Sequence, residues 1–203
     1  MQVALADGAD HVLMYAVLPY KHTTRWEYVG KSQAHHGKVV GLIFGESPTG
    51  QTRLFSMGAD SRIVEYDLVG STPATGLKLA MHQDLPPNDV PTAVAFAPPL
   101  KYYRHHSADT VLLTCNSQYK VCMYNPDSQA QVATFVGPTF AGPIKRLIMF
   151  NSATEEEAFL AYATSERVVG LMAWPMDGDP AKTMGLIAHP GAISAMSISY
   201  DGR

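Results

Sequence analysis

Cysteine is almost missing from this chain. Cys115 and Cys122 are the only two in 203 residues, too few for a disulfide framework. They fall on adjacent candidate strands, so a bridge is geometrically open. Buried free thiols in a reducing, intracellular compartment are the expectation. Charge is also sparse. Asp, Glu, Lys and Arg make up 16% and the formal net charge is -3, which gives no electrostatic footprint for nucleic acid or an anionic membrane. No run approaches the roughly 18 apolar residues that a membrane-spanning helix requires. The opening MQVALADGAD has neither a basic n-region nor a long apolar stretch, so no signal peptide is expected and the protein reads as soluble. No segment of about twelve residues keeps a helical period.

Hydrophobic residues are abundant at 46%, so a folded core is expected rather than disorder. They come in short runs rich in Val, Ile, Leu, Phe and Tyr, separated by Gly, Pro, Asn and Asp, which is strand and turn chemistry. Four segments repeat one strand-turn-strand pattern: VALADGADHVLMYAV, RLFSMGADSRIVEYDL, VLLTCNSQYKVCMYN and FLAYATSERVVGLMAWP. Each second run ends near an aromatic residue. Those aromatics, Tyr15, Tyr66, Tyr124 and Trp174, lie 51, 58 and 50 residues apart. Recurrence at that period marks a repeat architecture.

The runs group into units of four: KVVGLIF, TRLFSMG, RIVEYDL and GLKLAMH; PTAVAFAPP, DTVLLTC, YKVCMYN and QVATFVG; PIKRLIMF, EAFLAYAT, VVGLMAWP and KTMGLIAH. Strands of an earlier unit precede them, and one further candidate strand, 193–199 within GAISAMSISYDG, follows. Such units build an all-β fold, a β-propeller. The blade ranges are 36–84, 89–137 and 142–188, with a partial blade at 1–35 and a blade start at 189–203, all in one propeller region. This incomplete ring would expose apolar blade faces of about several hundred Å². The chain is therefore expected to be part of a longer protein or to close its ring with another chain.

The second unit resembles a WD repeat. AHHG at 34–37 stands where that family has Gly-His, and MGADSRIVEYD matches its turn and following strand, with Tyr66-Asp67 for Trp-Asp. The family's hydrogen-bonded set of His, Ser or Thr, Asp and Trp would here be His36, Ser56, Asp60 and Tyr66. The third unit lacks the His, the fourth keeps only Trp174, and AHPGAISAMSISYDG recovers His189. The longer segments GADSRIVEYDL, APPLKYYRHHSADTVLLTCNSQYKVCMYN, GPTFAGPIKRL and MDGDPAKTMGLIAHPGAISAMSISYDGR resemble the WD-repeat cilia- and flagella-associated family of the calmodulin- and spoke-associated complex. That resemblance implies a structural scaffold in the axoneme of motile cilia. Its partners would be the proteins of that complex, the third radial spoke and, directly or through other proteins, the doublet microtubule. An interaction scaffold for trafficking or substrate recruitment is the alternative.

Catalytic and metal motifs fall away on inspection. GESPTGQT, 45–52, nearly fits a P-loop, but Gln51 replaces the phosphate-reaching Lys and a strand-like run follows instead of a helix. It is expected to be a hairpin loop. His35-His36 and His105-His106 are adjacent pairs, which point apart on an extended chain, and no Cys or carboxylate stands at zinc-site spacing. KYYRHH, 101–106, is basic and aromatic yet isolated in an acidic chain, and EEE at 155–157 reads as a loop charge cluster. Ser107, His106 and Asp109 are too close in sequence to form a triad by themselves. No catalytic, cofactor or metal residue is assigned, no nucleic-acid or membrane partner is expected, and the protein is read as a non-enzyme. The connections 69–75, 81–91, 98–108 and 176–182 are the candidate contact surfaces.

Overall fold

Period-two apolar runs between Gly- and Asp-rich turns give antiparallel hairpins, and in the computed structural model such hairpins make up nearly all the regular structure. Residues 1–20, 23–47, 49–86, 89–97, 110–151 and 158–199 are described. Among them are fifteen strands and one 3-10 turn, Pro180–Lys182, and no α-helix. The chain divides into two units, Met1–Val90 and Pro91–Arg203.

The first unit holds a three-stranded sheet of β1 (Gln2–Ala6), β2 (Val12–Tyr20) and β3 (Thr23–Ser32). A four-stranded sheet follows, of β4 (Val39–Glu46), β5 (Thr52–Gly58), β6 (Arg62–Thr72) and β7 (Gly76–Asp84). All neighbours are sequential and antiparallel, which is the meander of a propeller blade. The core joins Val12, Met14 and Ala16 of β2 to Leu54, Val64 and Tyr66 of the second sheet. β5 is buried from Arg53 to Gly58, so both of its faces are covered and buried residues do not alternate with exposed ones.

The second unit repeats the pattern twice. One sheet contains β8 (Pro91–Ala97), β9 (Val111–Asn116), β10 (Lys120–Tyr124) and β11 (Gln131–Val136). The other contains β12 (Ile144–Asn151), β13 (Ala158–Thr164), β14 (Val168–Trp174) and β15 (Thr183–Ile187). Ala93, Ala95 and Ala97 place small side chains at alternate positions of β8. That shallow surface lies in one buried cluster with Ile144 and Leu147 of β12. The fold is therefore all-β and built of β-propeller blades, a three-stranded and a four-stranded one in the first unit and two four-stranded ones in the second. The segment 193–199, expected as a strand, forms none: a strand exists only through its ladder, and among the described residues no strand pairs with it.

The two cysteines are free and buried. Cys115 pairs with Val121 and Cys122 with Thr114 across β9–β10. Consecutive pairs face opposite sides of a sheet, so the thiols point apart and no bridge forms. Burial, followed by the neighbouring Cys122, pushes the Cys115 thiol far above its usual pKa.

One tyrosine fixes the fourth blade. Tyr162 of β13 is buried, and its ring passes over Gly170 of β14 to donate a hydrogen bond to the Met184 carbonyl of β15 at 3.1 Å. A Cβ at Gly170 would collide with both the ring and that carbonyl. Gly170→Ala should destabilise by about 2–3 kcal/mol through overpacking, and Tyr162→Phe by about 1 kcal/mol through the lost bond. Urea unfolding curves measure both, and a neutral Gly170→Ala would contradict this packing.

Candidate functional site

Each sheet turns at its centre through the same three-residue loop. Asp10, Ser61, Tyr119 and Arg167 hold its third position with φ of 63°, 59°, 64° and 82°. In the first three loops that residue's N–H also donates to the carbonyl three residues back, at 3.2–3.3 Å. This is a type I turn closed by a left-handed residue, a standard hairpin solution. None of the four is Gly, although this conformation costs an L-residue roughly 1–2 kcal/mol. Side-chain bonds offset that cost.

Three turns use one device. Asp7 Oδ1 accepts from the amides of Ala9 and His11 at 2.9 Å each. Asn116 Oδ1 accepts from Gln118 and Lys120 at 3.0 Å each. Thr164 Oγ1 accepts from Glu166 at 3.4 Å and Val168 at 3.3 Å. All three side chains sit three residues before the left-handed position. In the second sheet that place belongs to Gly58. A Cβ there would collide with Asp60 and His35, so this turn is held differently.

His35, before β4, is fully buried. Its Nδ1 lies 3.1 Å from Asp60 Oδ1, and its Nε2 lies 2.6 Å from Ser56 Oγ. Ser56 Oγ in turn lies 2.9 Å from Tyr66 Oη. An ionised carboxylate only accepts, which fixes the direction of the chain. Tyr66 donates to Ser56, Ser56 to His35 Nε2, and His35 Nδ1 to Asp60. Asp60 Oδ2 also accepts from the His36 amide at 2.8 Å. The side chain in this set is therefore that of His35, where the sequence reading had placed His36; His36 contributes its backbone. The reason is register, since only His35 faces inward. The two Ala-His-x-Gly stretches carry that signal, because aligning AHHG with AHPG sets His189 beside His35.

Burial sets the electrostatics. Desolvation lowers the His35 pKa against the opposing bond to Asp60. Desolvation alone would raise the Asp60 pKa, but the His36 amide and His35 imidazole outweigh it and hold the carboxyl below its usual range. The Tyr66 phenol is pushed up to about 12 by burial, with Ser56 opposing. His35 is thus neutral and Asp60 ionised at pH 7. The order Ser–His–Asp is that of a nucleophilic triad, yet Ser56 is 1% exposed and its oxygen is occupied by Tyr66. No substrate carbonyl reaches it. The set clasps the entry to β4 onto the β5–β6 turn.

The fourth blade departs from this scheme. Counted from the left-handed residue, Met172 occupies the place of Tyr66, and Tyr162 the place of Ser56. Trp174 lies two positions further, paired with Ala158, and its buried Nε1 has no hydrogen-bond partner. It is a core residue and not a counterpart of Tyr66.

The remaining sequence candidates are dispersed. In the 45–52 stretch Gly45 and Glu46 end β4, Thr52 begins β5, and Ser47 N donates to the Gln51 carbonyl at 2.8 Å; Pro48 lies outside the described residues. The expected long connection at 69–75 is mostly strand, because Thr72 and Thr75 exchange hydroxyl and amide bonds that tighten the β6–β7 turn. The 81–91 connection shortens to the residues between β7 and β8, and 176–182 is a loop containing the 3-10 turn. KYYRHH, the 98–108 loop, His105-His106, Ser107, Asp109 and EEE at 155–157 lie outside the described residues. Among the described residues no group of three or more His, Cys, Asp or Glu is placed to hold a metal ion, and no helix is long and apolar enough to cross a membrane.

No protein-family model matches the chain. It is similar to Cilia- and flagella-associated protein 251 of Chlamydomonas reinhardtii, 49% identical over 124 residues, which are 61% of this chain and 15% of that protein. The protein of the same name from Tetrahymena thermophila is 32% identical over 217 residues, covering 96% of this chain and 21% of its own length. The one from Mus musculus is 32% identical over 205 residues, covering 99% of this chain and 15% of its own length. The chain thus spans about a fifth or less of these relatives.

His35→Ala should cost about 3 kcal/mol, since it opens a cavity and takes the acceptor from the Ser56 hydroxyl and the donor from Asp60 Oδ1. The cost should depend on pH. The folded pKa of His35 is lowered, so below about 6.5 the unfolded chain takes up the proton first and the wild type loses stability. The gap between wild type and His35→Ala should therefore narrow as pH falls from 7 to 5. Denaturant melts across that range measure it, and a gap that widens would contradict the neutral, buried imidazole.

Proposed function

Since the chain belongs to the Cilia- and flagella-associated protein 251 family, we propose that it is part of a WD-repeat propeller region serving as a non-catalytic scaffold of the motile-cilium axoneme. In this reading it helps anchor a radial spoke to doublet microtubules and so supports ciliary motility. Its partners are proteins of the spoke base and of the calmodulin- and spoke-associated complex. One observation carries the reading: similarity to proteins named for cilia and flagella runs through 96% and 99% of the chain. The architecture agrees with it. The polar groups that resemble a catalytic set are spent inside a blade, where Ser56 and His35 are sealed, and the loops between strands remain for recognition.

Fractionation of motile cilia with the full-length protein tagged tests this directly. The protein is expected in the detergent-resistant axoneme, with cross-links to spoke-base proteins. Recovery in cell bodies, with cross-links to trafficking or substrate-recruiting machinery, would contradict it.

A further inference from the structure

The last strands of the four sheets share one topological position but differ in chemistry. β3 carries Arg25, Glu27 and Lys31, and β7 carries Lys78, His82 and Asp84. β11 and β15 carry no charged residue. Charges on an edge strand are the usual protection against pairing with another chain, and both last strands of the second unit lack it. β15 goes furthest. Among the described strands it pairs with β14 alone, Tyr162 of β13 reaches only its Met184 carbonyl, and Met184, Leu186 and Ile187 are 65%, 64% and 75% exposed.

The start of β15 meets a groove of about 390 Å³ between the end of β11 and the 176–183 connection. Phe140, Met172 and Met176 give it apolar walls, and Asp177 and Asp179 stand among its lining. Lys182 pairs with Asp177. The exposed carboxylate of Asp179, which also accepts from the Ala181 amide at 2.9 Å, leaves this end of the groove with one net negative charge.

We infer that β15 is a docking edge for an extended segment of a partner protein, which adds antiparallel as a fifth strand, seats an apolar side chain in the groove and places a Lys or Arg against Asp179. Antiparallel addition continues the pairing found throughout these sheets. It also brings the C-terminal end of the incoming segment to Thr183, beside Asp179, so the basic residue belongs at that end. Backbone bonds supply affinity in this mode of recognition, and the pocket and charge supply selection. The inference rests on the scaffold reading only in taking a protein as the partner.

The test uses the full chain and a fluorescein-labelled peptide of alternating Val and Thr ending in Lys, followed by fluorescence anisotropy. Saturable binding is expected. It should weaken about tenfold when the Lys moves to the other end and about tenfold with Leu186→Lys, and it should vanish when alternate peptide amides facing β15 are N-methylated. Leu79→Lys on β7 should leave it unchanged. Leu186 is largely exposed, so the Leu186→Lys variant should melt like wild type, and a single-site Asp179→Asn variant gives an independent reading of the charge. Equal affinity for the N-methylated peptide, or no saturation by about 1 mM, would overturn the proposal. So would sedimentation showing that Leu186→Lys dissolves a dimer of a chain that binds no peptide, which would assign the edge to a second copy. Failure here leaves the ciliary assignment standing, because that is read from fractionated cilia, and the reverse also holds.

Discussion

The hairpin at the centre of each sheet must reverse direction in three residues, with a non-glycine residue in the left-handed region at the third. Everything else in a blade is arranged around that strained turn. Its amides need acceptors, and the chain supplies them in two mutually exclusive ways. A side chain three residues upstream can reach forward, as Asp7, Asn116 and Thr164 do. Otherwise that place is emptied to Gly58, and the turn is tied through Asp60 to His35 at the entrance of the sheet. The second solution also binds the first strand of the blade to its central hairpin. It draws Ser56 and Tyr66 into one hydrogen-bonded line whose donors and acceptors are matched from phenol to carboxylate.

This distribution of polar groups bears on function. Buried serine, histidine and aspartate are used up in holding a blade, and the shape they stabilise presents edges and loops outward. Edges differ between the units: charged last strands in the first, uncharged ones in the second. A repeated blade thus varies in charge at its margin while its antiparallel strand order stays the same.

Strands were legible in the sequence because short apolar runs between Gly, Asp and Asn leave few other options, and runs such as Lys120–Tyr124 or Val168–Trp174 have the bounds their pattern implies. Turn positions were not. The tripeptide Gly-Ala-Asp occurs at 8–10 and at 58–60, yet it enters the two turns one residue apart. Asp10 is itself left-handed, whereas in the second turn that role falls to Ser61. Asp7 caps the first loop from upstream, while Asp60 is held from outside by His35. The choice between His35 and His36 was hidden for a related reason, since a single register step decides which imidazole faces inward. Trp174 was misleading as a marker because aromatic character alone does not fix its place: the residue aligned with Tyr66 is Met172, and Tyr162 with its attendant Gly170 performs the cross-strand bonding. Segment 193–199 has strand composition, but composition alone cannot supply a pairing partner.

Hydrogen exchange, resolved to single amides on the full chain, tests the turn account most directly. The amides of His11, Lys120 and Val168, bonded to Asp7, Asn116 and Thr164, and that of His36, bonded to Asp60, should exchange far more slowly than amides of ordinary exposed loops. Substituting Asn116 by Ala should release Lys120 and leave His36 protected. Exchange of these four amides at loop rates in the native protein would contradict the claim that side-chain acceptors hold every blade at its central turn.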